Sequence, residues 1–262
     1  MTREELAGMI DHTFLKAAGD ADAVRRLCRE AKRYHFACAM VNPVQVALAA
    51  SLLKGSDVRV GTVIGFPLGQ NVPEVKNYEA AVAVDEGALD LDFVLDIRKL
   101  KVAMTDERVR EGLELELMNS NAYCKEAGFG VVTKLIIECC YLTDEEKVLA
   151  CKLAKSAGFD YVKTSTGFGT GGATVHDIRL MRKAVGRRMG VKAAGGIRTL
   201  ADALALIGGA GIYNLALFAG TKRTFHGNNT PLSFVFFQYI KNLTVFQGHI
   251  YNSHPLLAKF LN

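Results

Sequence analysis

Two lysines lie inside otherwise apolar runs, where a charge is costly to bury. Lys163 stands in DYVKTS (160–165) and Lys192 in GVKAA (190–194). Lysine is a poor strand former, and burying its charge is unfavourable unless the group is paired or used. For one such lysine, an outward-facing position or a structural ion pair with Asp92 or Glu138 would be the simpler interpretation. Two of them on successive strands, with a carboxylate on another strand, favour a reactive site.

A buried lysine of this kind indicates nucleophilic attack on a carbonyl group. Only the neutral amine attacks, and an ordinary lysine has a pKa of about 10.4, so roughly one molecule in a few thousand is neutral at pH 7. A second ammonium close by lowers the pKa through like-charge repulsion, and an apolar pocket lowers it through desolvation. Lys163 and Lys192 on adjacent strands provide this arrangement, although residue types alone do not say which of the two attacks.

Carboxylates on other strands are candidates for proton transfer. In LDLDFVLDI (89–97), strict alternation places Asp90 and Asp92 on one face of a strand. Asp92 is either a surface residue or an inward-facing residue that shuttles protons or pairs with the lysines. We expect Asp90 and Asp96, near the strand ends, to lie at the surface. Asp11, near the first predicted strand, has the same two interpretations.

Glycine-rich turns follow both lysine strands. TSTG (164–167) comes directly after Lys163, and AGGIR (194–198) comes directly after Lys192. Backbone N–H groups and hydroxyls in such turns can bind a phosphate, although either turn alone is equally explained as an ordinary strand-to-helix connection. Their position after the sixth and seventh strands favours a phosphate site.

Short β-rich runs alternate with longer helical patterns along most of the chain, which predicts an α/β fold with a parallel sheet. The candidate strands are Phe36–Val41, Val58–Ile64, Leu89–Leu95, Val131–Glu138, Phe159–Ser165 and Val191–Ala194, with a less certain one at Met9–Asp11 and an eighth near Ile212–Leu217. This number indicates a (β/α)8 TIM barrel, whose chemistry lies at the carboxyl ends of the strands. The charged residues near those ends are Asp92, Lys134, Glu138, Lys163 and Lys192.

Composition narrows the classes of function. The 262 residues include six cysteines without C-x-x-C spacing, and the first residues resemble no signal peptide, so we expect a cytoplasmic protein with reduced thiols. No cluster has metal-ligand spacing, and no Rossmann or Walker motif is present, so we expect no metal and no cofactor; His12 is expected to be packed or hydrogen-bonded. Most of the net charge of +5 comes from residues 203–262, but the four cations there are scattered rather than clustered, so no nucleic acid is expected. Glycines break the longest uncharged stretch, so no membrane span is expected.

Seven motifs in order resemble the deoxyribose-phosphate aldolase family over about the first 210 residues. They are IDHTFLK (10–16), GTVIGFPLG (61–69), LDLDFVLDI (89–97), KLIIE (134–138), FDYVKTSTGFGTGGAT (159–174), DIRLMR (177–182) and GVKAAGGIRT (190–199). The resemblance implies a class I aldolase that cleaves 2-deoxy-D-ribose 5-phosphate reversibly to D-glyceraldehyde 3-phosphate and acetaldehyde. It therefore implies a sugar phosphate as the small-molecule partner, and the implied reaction needs no cofactor.

The resemblance also implies roles for single residues. Lys163 would be the Schiff-base lysine, Lys192 would lower its pKa, and Asp92 would relay protons. Asp11 and Thr13 match first-strand positions that support the relay. The residues implied at the phosphate site are Thr166, Gly167, Gly195 and Gly196.

The resemblance stops after Gly211. Where the family has an eighth strand with a glycine and paired serines, the chain reads IYNLALF (212–218), and acidic residues are absent from 203 to 262. We therefore divide the chain into an aldolase core at 1–211 and a divergent segment at 212–262, expected to complete the barrel. A late change of reading frame and true divergence both explain the shift.

Two rival functions follow from these observations. Another Schiff-base aldolase or a transaldolase could use the same barrel, but the VKTSTG and VKAAGG pair argues against it. A catalytically impaired or non-catalytic barrel that binds a sugar phosphate is favoured by the missing eighth-strand motif and disfavoured by the intact lysine pair. The oligomeric state stays open, with a homo-oligomer as one alternative.

Overall fold

The computed structural model describes residues 2–210 and 215–220. In it, eight parallel strands pair in sequence order, and the eighth pairs with the first to close a barrel. The strands are β1 (Ile10–Phe14), β2 (Cys38–Val41), β3 (Arg59–Ile64), β4 (Asp90–Val94), β5 (Val132–Ile136), β6 (Tyr161–Lys163), β7 (Gly190–Ala193) and β8 (Leu215–Gly220). The predicted TIM barrel is confirmed.

Most predicted strands contain the observed ones with extra residues at their ends. The first strand was placed too early, since β1 continues to Phe14 rather than ending at Asp11, and β8 begins three residues after the predicted start at Ile212. The predicted segment 212–262 thus contributes β8, and its remaining residues lie outside the described part of the chain.

Helices follow the strands and cover the outside of the barrel. They are α1 (Arg3–Ala7), α2 (Ala21–Tyr34), α3 (Val46–Leu53), α4 (Pro73–Asp85), α5 (Ile97–Ala103), α6 (Glu107–Ala127), α7 (Asp144–Ser156), α8 (Val175–Val185) and α9 (Leu200–Ala210), with 3-10 turns at Pro43–Gln45 and Cys139–Tyr141. Local sequence sets several of their starts: Thr143 and Glu146 form a reciprocal capping box on α7, which satisfies backbone N–H groups that have no partner inside the helix. Among the described residues, no helix is long and apolar enough to span a membrane.

The apolar core lies between the strands and this layer of helices. Outward-facing strand residues such as Leu91, Leu135 and Val162 are fully buried and belong to one cluster with helix residues such as Leu100 and Ile178. Because side chains alternate along a strand, the residues between them point into the barrel. Apolar burial outside therefore fixes which polar side chains face the axis.

Gly69, between β3 and α4, is a position that only glycine suits. Its φ is +71°, and a Cβ atom there would lie 2.4 Å from the carbonyl oxygen of Leu95. We expect Gly69→Ala to lower the free energy of unfolding by more than about 1 kcal/mol, because strain adds to a backbone clash. At an exposed position of α6, a Cβ atom on Gly112 would meet no atom within 4 Å, so Gly112→Ala should raise the free energy of unfolding by about 0.5–1 kcal/mol. Urea denaturation of both variants checks the two signs, and equal effects would contradict this account.

Candidate active site

Strand register brings four charged side chains together on the barrel axis. Asp92 on β4 pairs with Lys134 on β5, and Lys163 on β6 pairs with Lys192 on β7. Neighbouring strands lie about 4.8 Å apart, so side chains in register on one face are close neighbours. All four are buried, with relative exposures of 2% or less.

Lys163 donates a hydrogen bond to Asp92, with Nζ 2.5 Å from Oδ2. Burial is the main cause of a lowered pKa for the Lys163 amine; the Asp92 charge opposes that shift, and the Lys134 ammonium adds to it. Burial alone would raise the pKa of Asp92, but the charges of Lys134 and Lys163 outweigh it and hold that pKa below its ordinary value. Asp92 therefore remains ionised, whereas Lys163 loses its proton more readily than an ordinary lysine.

Lys134 lies among three carboxylates, and sequence reasoning gave it no role. Its Nζ contacts Asp90, lies 3.2 Å from Asp92 Oδ1 and lies 3.5 Å from Asp11 Oδ2. Burial disfavours its charge, but Asp90 and Asp92 together outweigh that cost and raise its pKa above the ordinary value. Its place in the apolar run of KLIIE was the available signal, because it repeats the pattern around Lys163 and Lys192.

Lys192 contacts two carboxylates, Asp11 and Asp92. Its ammonium donates to Asp11, and Nζ lies 3.5 Å from Asp92 Oδ2, the oxygen that also binds Lys163. Burial lowers the pKa of Lys192 well below its ordinary value. Thr13, predicted to support the relay, donates its hydroxyl to the backbone carbonyl of Asp11 at 3.0 Å.

Two expectations about carboxylates were wrong. Asp90 and Asp96 were expected at the surface, yet each has a relative exposure of 5%. Asp90 faces the axis and is shared by Arg59 on β3 and Lys134, so its charge is compensated inside the barrel. Asp96 caps α5 by accepting the backbone N–H of Lys99 at 3.2 Å. A strand end is therefore not a solvent-exposed position when cations or helix N–H groups surround it.

His12 is packed outside the barrel and takes no part in the axial cluster. Its ring is 1% exposed, Nε2 lies 2.7 Å from Glu30 Oε2, and the ring lies 5.2 Å from that of Phe36. This agrees with the predicted packed histidine.

One described group of side chains has the composition of a metal site. Asp11, Cys38 and Asp90 offer ligand atoms within 4.8 Å of one another. However, the Lys134 ammonium contacts both carboxylates, so a cation already occupies the position between them. Burial, followed by the charge of Asp90, also raises the pKa of Cys38 well above its ordinary value, which disfavours the thiolate that a metal needs.

The predicted phosphate turns lie side by side at the carboxyl ends of β6 and β7. Gly167, Gly195 and Gly196 have φ values of +84°, +79° and +80°. A Cβ atom on Gly195 would lie only 3.8 Å from the Gly167 Cα. The fold therefore brings these three glycines together, with backbone conformations that suit glycine.

Thr166, in the turn after β6, is hydrogen-bonded to the side chain of Glu138. The carboxylate of Glu138, just beyond β5, accepts the Thr166 backbone N–H at 3.2 Å to each oxygen and also its hydroxyl. Glu138 is buried and has a φ of +51°, a conformation that a non-glycine residue keeps only when its surroundings hold it. The donors of Thr166 thus anchor the turn to β5.

Comparison with known proteins places this barrel among the aldolases. Residues 6–218 match the model of the DeoC/LacD family aldolases. The chain belongs to this family. A deoxyribose-phosphate aldolase of Bacteroides thetaiotaomicron is 53% identical over 204 residues, which are 78% of this chain and 83% of that protein. One from a Thermoanaerobacter species is 49% identical over 228 residues, 87% of this chain and 99% of the relative.

Solved structures agree with this assignment. The structure of a deoxyribose phosphate aldolase from Aeropyrum pernix, described as a unique tetramer, superposes with a TM-score of 0.76 at 31% identity, covering 92% of this chain and 93% of that one. The family match ends within β8, so it includes the strands that carry every charged axial residue.

The Glu138 anchor predicts a measurable loss of stability in Glu138→Gln. An amide keeps one acceptor but loses the charge that both Thr166 donors face, and a hydrogen bond to a charged group contributes about 1.5–3 kcal/mol. We expect the free energy of unfolding to fall by that amount in urea titrations. Glu111→Gln, on an exposed position of α6, should have no measurable effect. A Glu138→Gln protein as stable as this control would show that the anchor contributes nothing.

Proposed function

We propose that this chain cleaves 2-deoxy-D-ribose 5-phosphate reversibly to D-glyceraldehyde 3-phosphate and acetaldehyde through a Schiff base on Lys163. The observation that carries the proposal is the fully buried Lys163 amine, with a lowered pKa, 2.5 Å from the Asp92 carboxylate. The two curated relatives named above are both deoxyribose-phosphate aldolases. This naming favours the proposal over the rival aldolase, transaldolase and non-catalytic barrel.

In the proposed mechanism, the neutral Lys163 amine adds to the C1 aldehyde and gives a carbinolamine, which loses water to form an iminium. Deprotonation of the C3 hydroxyl breaks the C2–C3 bond, and the bonding electrons pass into the iminium to give an enamine. D-glyceraldehyde 3-phosphate leaves, the enamine is protonated at C2, and hydrolysis releases acetaldehyde. Asp92 and a water molecule carry these protons, so the reaction needs only groups of this chain and water.

Lys192 would lower the pKa of Lys163 because both amines contact the same oxygen of Asp92. One proton shared by two neighbouring amines disfavours a second, so the pair titrates as a unit. Asp11 would hold Lys192 in place through its ion pair, and Thr13 would fix the backbone of Asp11.

The phosphate would bind at the paired turns after β6 and β7. Gly167, Gly195 and Gly196 would present backbone N–H groups, and Thr166 would contribute by holding its turn against Glu138. We expect weaker phosphate binding than in relatives with the eighth-strand serines. Residues 1–211 would form the aldolase core and 212–262 the segment that completes the barrel.

We further propose a cytoplasmic enzyme that binds neither nucleic acid nor a membrane. A homo-oligomer is part of this proposal, because the Aeropyrum pernix relative is described as tetrameric.

The Schiff base predicts a covalent adduct on Lys163. Incubation with deoxyribose 5-phosphate and borohydride should reduce the imine to a stable secondary amine, which tandem mass spectrometry locates. Lys163→Arg keeps a positive charge but should give no adduct and no cleavage. An adduct on Lys192, or an active enzyme without any adduct, would contradict the assignment of Lys163 as the Schiff-base lysine.

Substitutions of Lys192 and of Asp92 should lower activity with different dependences on pH. Without the competing amine, Lys163 holds its proton to higher pH, so Lys192→Met should lower kcat/KM near pH 7 by about tenfold for each unit of pKa and recover in alkali. Asp92→Asn removes a proton carrier and should lower kcat at every pH. Rate profiles from pH 6 to 10 distinguish them, and an unchanged profile in Lys192→Met would show that the two amines do not interact.

A further inference from the structure

The axial cluster contains more basic groups than carboxylates. Its described members are the basic residues Arg59, Lys134, Lys163 and Lys192 and the carboxylates Asp11, Asp90 and Asp92. With every group ionised the cluster would carry one positive charge, and with one amine neutral it carries none. No residue of β8 is ionisable, so that strand adds nothing to the sum.

The contacts connect these groups into one chain across the barrel. Arg59, on the amino-terminal side of β3, binds Asp90, and Asp90 binds Lys134. Lys134 then contacts Asp92, whose other oxygen binds Lys163. A change at one end is therefore transmitted through alternating charges to the nucleophile.

An uncompensated charge in this interior is expensive. The lysines and Asp92 are 2% exposed or less, Asp11 and Asp90 are 3% and 5% exposed, and the side chain of Arg59 is 34% exposed. Interactions between buried charges are weakly screened, so the ionisation state with no net charge is favoured. The cluster therefore favours one neutral amine at neutral pH.

Position decides which amine keeps its proton. Lys134 contacts the three carboxylates of the cluster, whereas Lys163 pairs with Asp92, and Lys192 pairs with Asp11 and Asp92. The proton that is given up thus comes from Lys163 or Lys192, which both approach Oδ2 of Asp92. The raised pKa of Lys134 and the lowered pKa values of Lys163 and Lys192 agree with this order.

We propose that Lys134 is a positioning residue that carries a permanent positive charge in the barrel axis, so that Asp92 is neutralised without requiring a proton on Lys163. This inference rests on the proposed function for its catalytic meaning, but it predicts the ionisation of Lys163 whatever sugar is cleaved. The titratable groups that face Lys134 are Asp11 on β1, Cys38 on β2, Arg59 on β3, Asp90 and Asp92 on β4, Tyr161 and Lys163 on β6, and Lys192 on β7.

Lys134→Met tests the charge count. It leaves three carboxylates and three cations, so balance now requires a proton on Lys163. The readout is the pH dependence of borohydride trapping of acetaldehyde on Lys163 in the full chain, located by mass spectrometry. We expect the profile to move at least one unit to higher pH, which lowers trapping at pH 7 about tenfold or more.

Removing a carboxylate should reverse the effect. In Lys134→Met/Asp90→Asn two carboxylates face three cations, one amine is again neutral, and the profile should return toward that of the original chain. Asp90→Asn alone should move the profile to lower pH. Lys76→Met is the matched control, because Lys76 is a buried lysine outside the cluster, 3.7 Å from Glu116, and its loss should leave the profile unchanged.

A folded Lys134→Met protein with an unshifted profile would overturn the inference, as would a double variant that keeps the alkaline shift. If Lys134→Met does not fold, Asp90→Asn decides: a shift to lower pH supports the proposal, and no shift rejects it. Cleavage of deoxyribose 5-phosphate by the original chain is measured separately. Absent cleavage with the expected trapping shifts would reject the proposed function alone.

Discussion

The ion pair between Lys163 and Asp92 is the interaction on which the site depends, because it sets two opposing demands. In the proposed mechanism, Asp92 must stay charged to move protons, and the Lys163 amine bonded to it must be able to lose its proton. A buried carboxylate normally strengthens the charge on its lysine partner. The barrel resolves this conflict by surrounding Asp92 with more than one cation, so that the carboxylate keeps a counter-charge when one amine becomes neutral.

Strand register places these additional cations around Asp92. Parallel strands place Asp92 beside Lys134 and Lys163 beside Lys192, and apolar residues on the opposite faces hold each strand in that register. A slip by one residue would turn the charges toward the helices and the apolar side chains toward the axis. Burial of the apolar layer outside the barrel therefore offsets the unfavourable free energy of burying these charges.

Periodicity predicted the barrel and the two lysine strands because both depend on local alternation along the chain. It failed for Asp90 and Asp96 because their burial depends on partners that alternation does not reveal: Arg59 lies on another strand, and Asp96 caps a helix. The roles of Lys134 and Glu138 were missed for the same reason, since each is defined by contacts with residues at least 28 positions away. The resemblance named the proposed reacting residues, whereas only the three-dimensional structure revealed what surrounds them.

Strand β5 links the two halves of the site. Lys134 within it meets the carboxylates of the axis, and Glu138, two residues after its end, holds the Thr166 turn beside Gly167. Lys163 lies only three residues before Thr166, so the proposed nucleophile and the proposed phosphate turn share one short segment of backbone. A displacement of β5 would therefore change both the charge around the Lys163 amine and the position of the proposed phosphate donors. This coupling gives a physical reason for a buried glutamate in the left-handed region. In that conformation Glu138 holds the Thr166 turn against the end of β5, the strand that also carries Lys134.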